Sequence, residues 1–85
     1  MQKLLSENDY FRTSDLALCA TLSCCGFHLE AIDKQNPNKA IFLIERESGL
    51  DDCVAEYWQH NIKVDPLLFF GFLKEIKTRI HENNY

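Results

Sequence analysis

The spacing of apolar and polar residues predicts three elements in the first part of the chain. Residues 9–13 combine aromatic and β-branched side chains, which is typical of a short strand. Residues 16–25 are apolar on nearly every side, with only Thr21 and Ser23 interrupting, and this pattern predicts a buried helix. Residues 27–33 alternate between apolar and polar side chains, so they predict a strand with one buried face.

Three further elements are predicted in the second part. Residues 39–46 contain the continuous apolar run 41–44, which predicts a central strand buried from both sides and paired with 27–33 as a hairpin. Between Leu50 and Trp58, apolar residues recur at the spacing of an amphipathic helix. The last helix is predicted from Pro66 to His81. Its core stripe consists of Phe69, Phe72, Leu73, Ile76 and Ile80.

Local sequence signals indicate where the predicted helices begin and end. Asp15 is a favourable N-cap, and Gly26 can adopt the left-handed conformation that ends a helix. Residues 48–51 (SGLD) resemble a capping box with Asp in place of Glu, and Asp65-Pro66 marks the start of the last helix. The predicted order is therefore β-α-β-β-α-α. We expect a single small α+β domain over residues 1–85, with a three-stranded sheet, three helices mainly on one face, and flexible ends at 1–8 and 82–85.

Several segments resemble a known family. These are residues 10–18 (YFRTSDLAL) together with 26–33 (GFHLEAID), followed by Tyr57-Trp58, the tripeptide 64–66 and the final LKEIKTRI. They resemble a family of small bacterial and mobile-element proteins that is classed as a domain of unknown function. The resemblance covers about residues 9–81. It implies the same order of elements and carries no catalytic motif over to this chain.

Length and charge narrow the functional classes. Eighty-five residues suffice for one modest core, and 46% hydrophobic with 26% charged residues is typical of a globular protein. The net charge of −4 argues against nucleic-acid binding through overall electrostatics. The first nine residues, MQKLLSEND, do not form a secretory signal, and Lys74 and Glu75 interrupt the longest apolar segment. We therefore expect a cytoplasmic protein that does not interact with membranes.

Metal binding by cysteine and histidine is the most specific alternative function to consider. Cys25 and His28, and likewise Cys53 and His60, form loose pairs, the second on one face of a predicted helix. Zinc sites usually contain two tight ligand pairs, so we expect no metal and no cofactor. In a reducing compartment the four cysteines should be reduced core thiols. They are Cys19, Cys24, Cys25 and Cys53.

Enzymatic activity is not expected. The sequence contains none of the motifs G-x-S-x-G, H-E-x-x-H and G-x-G-x-x-G and no Walker loop, and three glycines are too few for a phosphate cradle. Cysteines and histidines are present, but any chain of this composition would contain them. A metal- or thiol-dependent enzyme therefore remains only a third hypothesis.

Basic residues support an alternative function in nucleic-acid binding. Lys74, Lys77 and His81 share one face of the last predicted helix, with Arg79 nearby. Lys34 and Lys39 flank the predicted hairpin turn and could contact phosphates. The competing interpretation is a solvated helix face and a charged turn.

Acidic residues are concentrated in another segment and could meet a basic protein surface. They are Glu45, Glu47, Asp51, Asp52 and Glu56.

The start of the last helix contains more apolar residues than one small sheet can cover. Leu67 and Phe70 fall outside the core stripe. Either Tyr57 and Trp58 cover Phe70 within the chain, or a partner buries it. We favour a non-enzymatic interaction module, either a homodimer or an accessory subunit or inhibitor of a larger assembly, with Leu67 and Phe70 at the interface.

Overall fold

The computed structural model describes residues 9–82 and contains all six predicted elements in the predicted order. The strands are β1 (Tyr10–Thr13), β2 (Leu29–Asp33) and β3 (Ile41–Glu45), and the helices are α1 (Leu16–Cys24), α2 (Leu50–Trp58) and α3 (Pro66–His81). The α+β prediction is confirmed. Of the predicted flexible ends, 1–8 and 82–85, all residues except Glu82 lie outside the described residues, and Glu82 is the C-cap of α3.

The three strands form one antiparallel sheet with β3 in the centre, in the order β1-β3-β2. Phe11 of β1 pairs with Ile44, and Ile32 of β2 pairs with Phe42. The predicted hairpin of β2 and β3 is therefore confirmed, with a bulge or irregularity between Leu29 and Ala31. Because both outer strands run antiparallel to β3, they run parallel to each other, and α1 connects them across the central strand.

Only one face of the central strand is covered. Phe42 and Ile44 lie in the core, whereas Ile41 and Leu43 point to the opposite face and are only half-buried. The prediction that 41–44 are buried from both sides is therefore wrong for Ile41 and Leu43. The physical reason is the pleat: successive side chains point to opposite faces, and the core residues contributed by all three helices lie on one face only.

Helix α1 is enclosed by the rest of the fold. Its middle residues, 18–22, are buried, and the helix contacts α2, α3 and β1. The Leu18 backbone N–H donates to Asp15 Oδ1 at 3.1 Å, which confirms the predicted N-cap. At the other end Gly26 has φ +96°, and the Phe27 N–H donates to the Leu22 carbonyl at 3.0 Å. This is the Schellman arrangement, and it confirms the predicted stop at Gly26.

Helix α2 spans the residues that the apolar spacing predicted, Leu50–Trp58, but two predictions about its ends are wrong. Its N-cap is Gly49 in the left-handed region (φ +92°), without a side-chain cap, so the predicted capping box is wrong. The helix ends at Trp58, and His60 follows in a left-handed turn (φ +64°). The expectation that Cys53 and His60 share one helix face is therefore wrong as well.

Candidate interaction surface on the third helix

Large apolar side chains are exposed at the start of α3. Leu67 is 81% exposed, Leu68 48% and Phe70 57%, and we call these three residues the α3 patch. Trp58, at the end of α2, is 59% exposed. The expectation that Leu67 and Phe70 lie outside the core is confirmed, whereas their role at an interface stays a prediction.

The local sequence explains why these residues point outward. Asp65 caps α3 by accepting a hydrogen bond from the Leu67 N–H at 2.9 Å, and Pro66 occupies the first turn. From this fixed start, successive side chains rotate by about 100° around the helix. The predicted stripe, with Ile76 buried and four residues packed around it, therefore faces the core. Leu67 and Phe70 fall on the other side.

A shallow groove lies beside the patch. It has a volume of about 270 Å³ and is lined by Leu67, Leu68, Gly71, Phe72 and Glu75. Gly71 contributes to it because no side chain fills the helix surface at this position. A hypothetical Cβ on Gly71 would meet no atom within 4 Å. The patch is thus a group of three exposed side chains next to a depression rather than a deep pocket.

Phe70 remains exposed despite the aromatic pair on the preceding helix. Tyr57 and Trp58 contact each other edge to face, with ring centroids 5.0 Å apart and an interplanar angle of 84°. Phe70 is approached instead by Lys74, whose Nζ lies 5.5 Å from the ring centroid. This is a cation–π contact on an exposed surface, where it contributes only about 0.5–1 kcal/mol. The contact leaves more than half of Phe70 open to solvent.

The five basic residues of the nucleic-acid hypothesis separate into two groups. Lys74 and Lys77 are exposed and continue the helix face that begins with Leu67 and Phe70. Lys34 and Lys39 line a cleft of about 590 Å³ between the β2–β3 turn and the end of α3. Arg79 is half-buried and lines a neighbouring small cavity together with Lys34.

Lys34 has a role that the sequence did not reveal. Its Nζ donates to the backbone carbonyl oxygens of Arg79, Ile80 and Glu82 at 3.1–3.3 Å. These carbonyls lie at the negative end of the α3 dipole, where a cation is favourable. All three ammonium protons are used in this way, so Lys34 acts as a C-terminal cap. The contact spans more than 40 residues of sequence, and therefore no local pattern could have predicted it.

The acidic residues are concentrated on and before α2. Glu47, Asp51, Asp52 and Glu56 are exposed, and Glu45 is half-buried at the end of β3. Arg46 Nη1 lies 2.8 Å from Asp51 Oδ1, and its guanidinium carbon lies 5.8 Å from the Phe11 ring centroid. One carboxylate of the group is thus partnered within the chain. The group gives α2 an acidic surface.

The cysteines do not share one environment. Cys19 is buried, and desolvation raises its pKa to about 12. Cys24 and Cys53 are half-buried, whereas Cys25 is exposed, so the prediction that all four are core thiols is wrong for Cys25. The physical reason is that Cys25 lies at the C-cap of α1, beyond the enclosed part of the helix. Whether the thiols are reduced stays a prediction.

In the described part of the chain the four candidate metal ligands do not form one cluster, although Cys25 Sγ and Cys53 Sγ lie 3.3 Å apart. His28 precedes β2, with Nε2 3.5 Å from Glu30 Oε1, and both side chains are substantially exposed. Among residues 9–82, no group of three or more His, Cys, Asp or Glu side chains is placed to hold a metal ion. Neither loose Cys–His pair is therefore part of a larger ligand cluster in the described chain.

Comparison with known families matches residues 8–82 to the model of a domain of unknown function, DUF5659. The chain belongs to this family. The resemblance noted from the sequence, as far as it concerns a family of unknown function, is thereby confirmed. No curated protein and no solved structure gave a significant match. Across the described residues, no helix has the length and apolar character needed to cross a membrane.

Proposed function

We propose that this member of the DUF5659 family is a non-enzymatic interaction module that binds a protein partner through the α3 patch. The observation that carries the proposal is the exposure of Leu67 and Phe70, at 81% and 57%, next to the shallow groove at Gly71. Clusters of exposed large apolar side chains on a small domain are typical of interaction sites. Phe70 is suited to be an anchor because its rigid ring loses little rotamer freedom on burial.

A second copy of the chain is the partner that we favour. The exposed face of α3 continues from the patch into Lys74 and Lys77, and an acidic group lies on and before α2. Two copies could therefore place the basic part of α3 against the acidic surface of α2 while burying the patch. A chain of 85 residues also gains stability from dimerisation, because its own core is small. An accessory subunit or inhibitor of a larger assembly would use the same surface.

Sedimentation tests the proposal directly. The unmodified protein should self-associate with increasing concentration, and Phe70→Glu and Leu67→Glu should each give a folded monomer, because a buried carboxylate disfavours the interface. Asn38→Glu is the control for the added charge, since Asn38 is exposed in the β2–β3 turn, near the end of α3 that is opposite to the patch. It should leave self-association unchanged. Circular dichroism verifies folding of each variant.

The results of these measurements distinguish a second copy of the chain from a foreign partner on the α3 patch. An unmodified protein that is monomeric at high concentration would exclude the homodimer and leave only a foreign partner. An unfolded Phe70→Glu chain would show instead that Phe70 belongs to the core. Equal loss of association in Asn38→Glu would mean that the added charge, rather than the apolar patch, controls assembly.

Nucleic-acid binding is the second candidate function. It is favoured by the exposed Phe70 ring next to Lys74 and Lys77, because surfaces for single-stranded nucleic acid combine stacking aromatics with cations. The net charge of −4 opposes it, and Lys34 uses its donors on α3. Binding of a single-stranded oligonucleotide that weakens steeply with salt would favour this function. The absence of binding at low salt would eliminate it.

Three finer expectations accompany the proposal. We also propose that the protein is located in the cytoplasm, and fractionation of cells tests this. Origin in bacteria or mobile elements follows only from the resemblance, and gene neighbours would test it. A metal- or thiol-dependent enzyme stays the third hypothesis, for which elemental analysis of the purified protein is the direct test.

A further inference from the structure

Two cysteines from different helices meet at the surface. Cys25 is the C-cap residue of α1, and Cys53 lies in the first turn of α2. Their Sγ atoms are 3.3 Å apart, with the Cys53 thiol donating to the Cys25 sulfur. The two residues are 28 positions apart in sequence, so the fold alone creates this contact.

We propose that Cys25 and Cys53 are a site of reversible oxidative modification, at which a peroxide converts the two thiols into an intramolecular disulfide. The contact between the two sulfur atoms carries the proposal, because disulfides form only where the fold already brings the two side chains close together. The reactant class is a hydroperoxide, of which hydrogen peroxide is the simplest.

The two thiols differ in accessibility, and this assigns their roles. Cys25 is exposed, so its sulfur is the one that an oxidant in solvent reaches first. Cys53 is half-buried, and desolvation together with the hydrogen bond to Cys25 raises its pKa to about 12. Cys53 therefore remains a thiol until Cys25 has been oxidised, and it then serves as the resolving residue.

The neighbouring cysteines are less suitable. Cys24 is half-buried, and burial raises its pKa, with Cys25 and Asp65 contributing further. Cys19 is buried in the core. Among the thiols of residues 9–82, only those of Cys25 and Cys53 form a hydrogen bond with each other.

The reaction balances with one molecule of peroxide. The Cys25 thiolate attacks the peroxide O–O bond, which forms an S–O bond and releases hydroxide, and the thiol proton converts this to water. The Cys53 sulfur then attacks the sulfenic sulfur of Cys25 as its S–H proton is lost. The S–S bond forms, the S–O bond breaks, and the hydroxyl group leaves as a second water. Two thiols are thereby oxidised, and one hydrogen peroxide is reduced to two waters. A thiol reductant such as glutathione reverses the modification by disulfide exchange.

Mass spectrometry of the full-length protein tests the site. The reduced protein is treated with one equivalent of hydrogen peroxide, alkylated and digested with trypsin, which places Cys25 in the peptide 13–34 and Cys53 in the peptide 47–63. We expect two of the four thiols to be lost, the two peptides to be linked within one chain, and dithiothreitol to restore both thiols.

Variants identify which cysteine of the vicinal pair participates. Cys25→Ser and Cys53→Ser should each abolish the linked peptide, whereas Cys24→Ser, the matched control, should retain it. Fragmentation of the linked peptide from the unmodified protein distinguishes Cys25 from Cys24 even if a variant fails to fold. Retention of all four thiols, a link through Cys24 or Cys19, or a purely intermolecular link through Cys25 would each overturn the proposal.

Discussion

Helices α1 and α3 begin with similarly apolar sequences and have opposite surroundings. In α1, residues 18–22 are all buried, and the helix contacts the sheet and both other helices. In α3, only Ile76 is fully buried, and Leu67, Leu68 and Phe70 are exposed although the first two turns are almost entirely apolar. Apolar composition therefore establishes that a helix has surface to bury, and its position in the fold decides how much is buried.

The comparison also distinguishes two kinds of helix ends. Both ends of helix α1 are capped by residues that are close in sequence, namely Asp15 at the N-terminus and the left-handed Gly26 at the C-terminus. Helix α3 begins in the same local way with Asp65, but its C-terminus is capped by Lys34 from the β2–β3 turn. The uncovered patch and the tertiary cap lie at opposite ends of one helix. The C-terminal end is thus tied to the sheet, while the N-terminal end presents the patch.

The largest effect is expected from the face of the sheet that α1 covers. Phe42→Ala should destabilise the protein by about 3–5 kcal/mol, because it leaves a cavity in the core. This approaches the total stability of a domain of this size, so the variant should be largely unfolded. Leu43→Ala is the matched control on the uncovered face and should cost about 1 kcal/mol. Thermal and chemical denaturation measure both, and equal losses would mean that the outer face is covered too.

The second prediction compares the two helices by the same substitution. Leu18→Ala in α1 should cost about 2–5 kcal/mol, whereas Leu67→Ala in α3 should change the stability of the monomer by less than about 0.5 kcal/mol. Both replace leucine by the best helix former, so helix propensity cancels. Denaturation is measured at low protein concentration to separate folding from association. A large monomer effect of Leu67→Ala would contradict the exposed position of the patch.

The smallest effect is expected at the C-terminal cap of α3, which Lys34 of the β2–β3 turn provides. Lys34→Met keeps much of the aliphatic side chain but removes the ammonium from the end of α3, which should cost about 0.5–1 kcal/mol. Lys39→Met, in the same turn region without the α3 contact, should remain within about 0.5 kcal/mol of the unmodified protein. Hydrogen exchange should show faster opening of the last turn of α3 only in Lys34→Met. Equal exchange in both variants would refute the cap.

Much of the fold could be predicted from local signals. The order of elements, the Asp15 and Asp65 caps, the stop at Gly26 and the pairing of β2 with β3 are all present in the structure. These features depend on residues close together in sequence, where φ preferences, short hydrogen bonds and apolar spacing act directly. The capping box failed for a related reason: Gly49 adopts the left-handed conformation and takes the cap position itself.

The candidate site was only partly predictable. The helical period placed Leu67 and Phe70 outside the core stripe, and their exposure in the structure agrees. The five basic residues resembled one another in sequence, yet the fold gives them different positions. Lys34 caps a helix, Lys74 contacts an aromatic ring, and Arg79 is half-buried. Their differences arise from contacts between distant segments.

The sequence by itself determined which segments are helices and strands, where most of them stop, and that α3 has more apolar surface than its core stripe needs. Only the tertiary structure decided which surfaces are covered: β3 is buried on one face, α1 is enclosed, and the α3 patch is open. It also created the Lys34 cap and the contact of Cys25 with Cys53. The physical reason is the separation in sequence over which each effect acts. Backbone preferences act over a few residues, whereas burial and side-chain contacts depend on segments that meet only after the chain has folded.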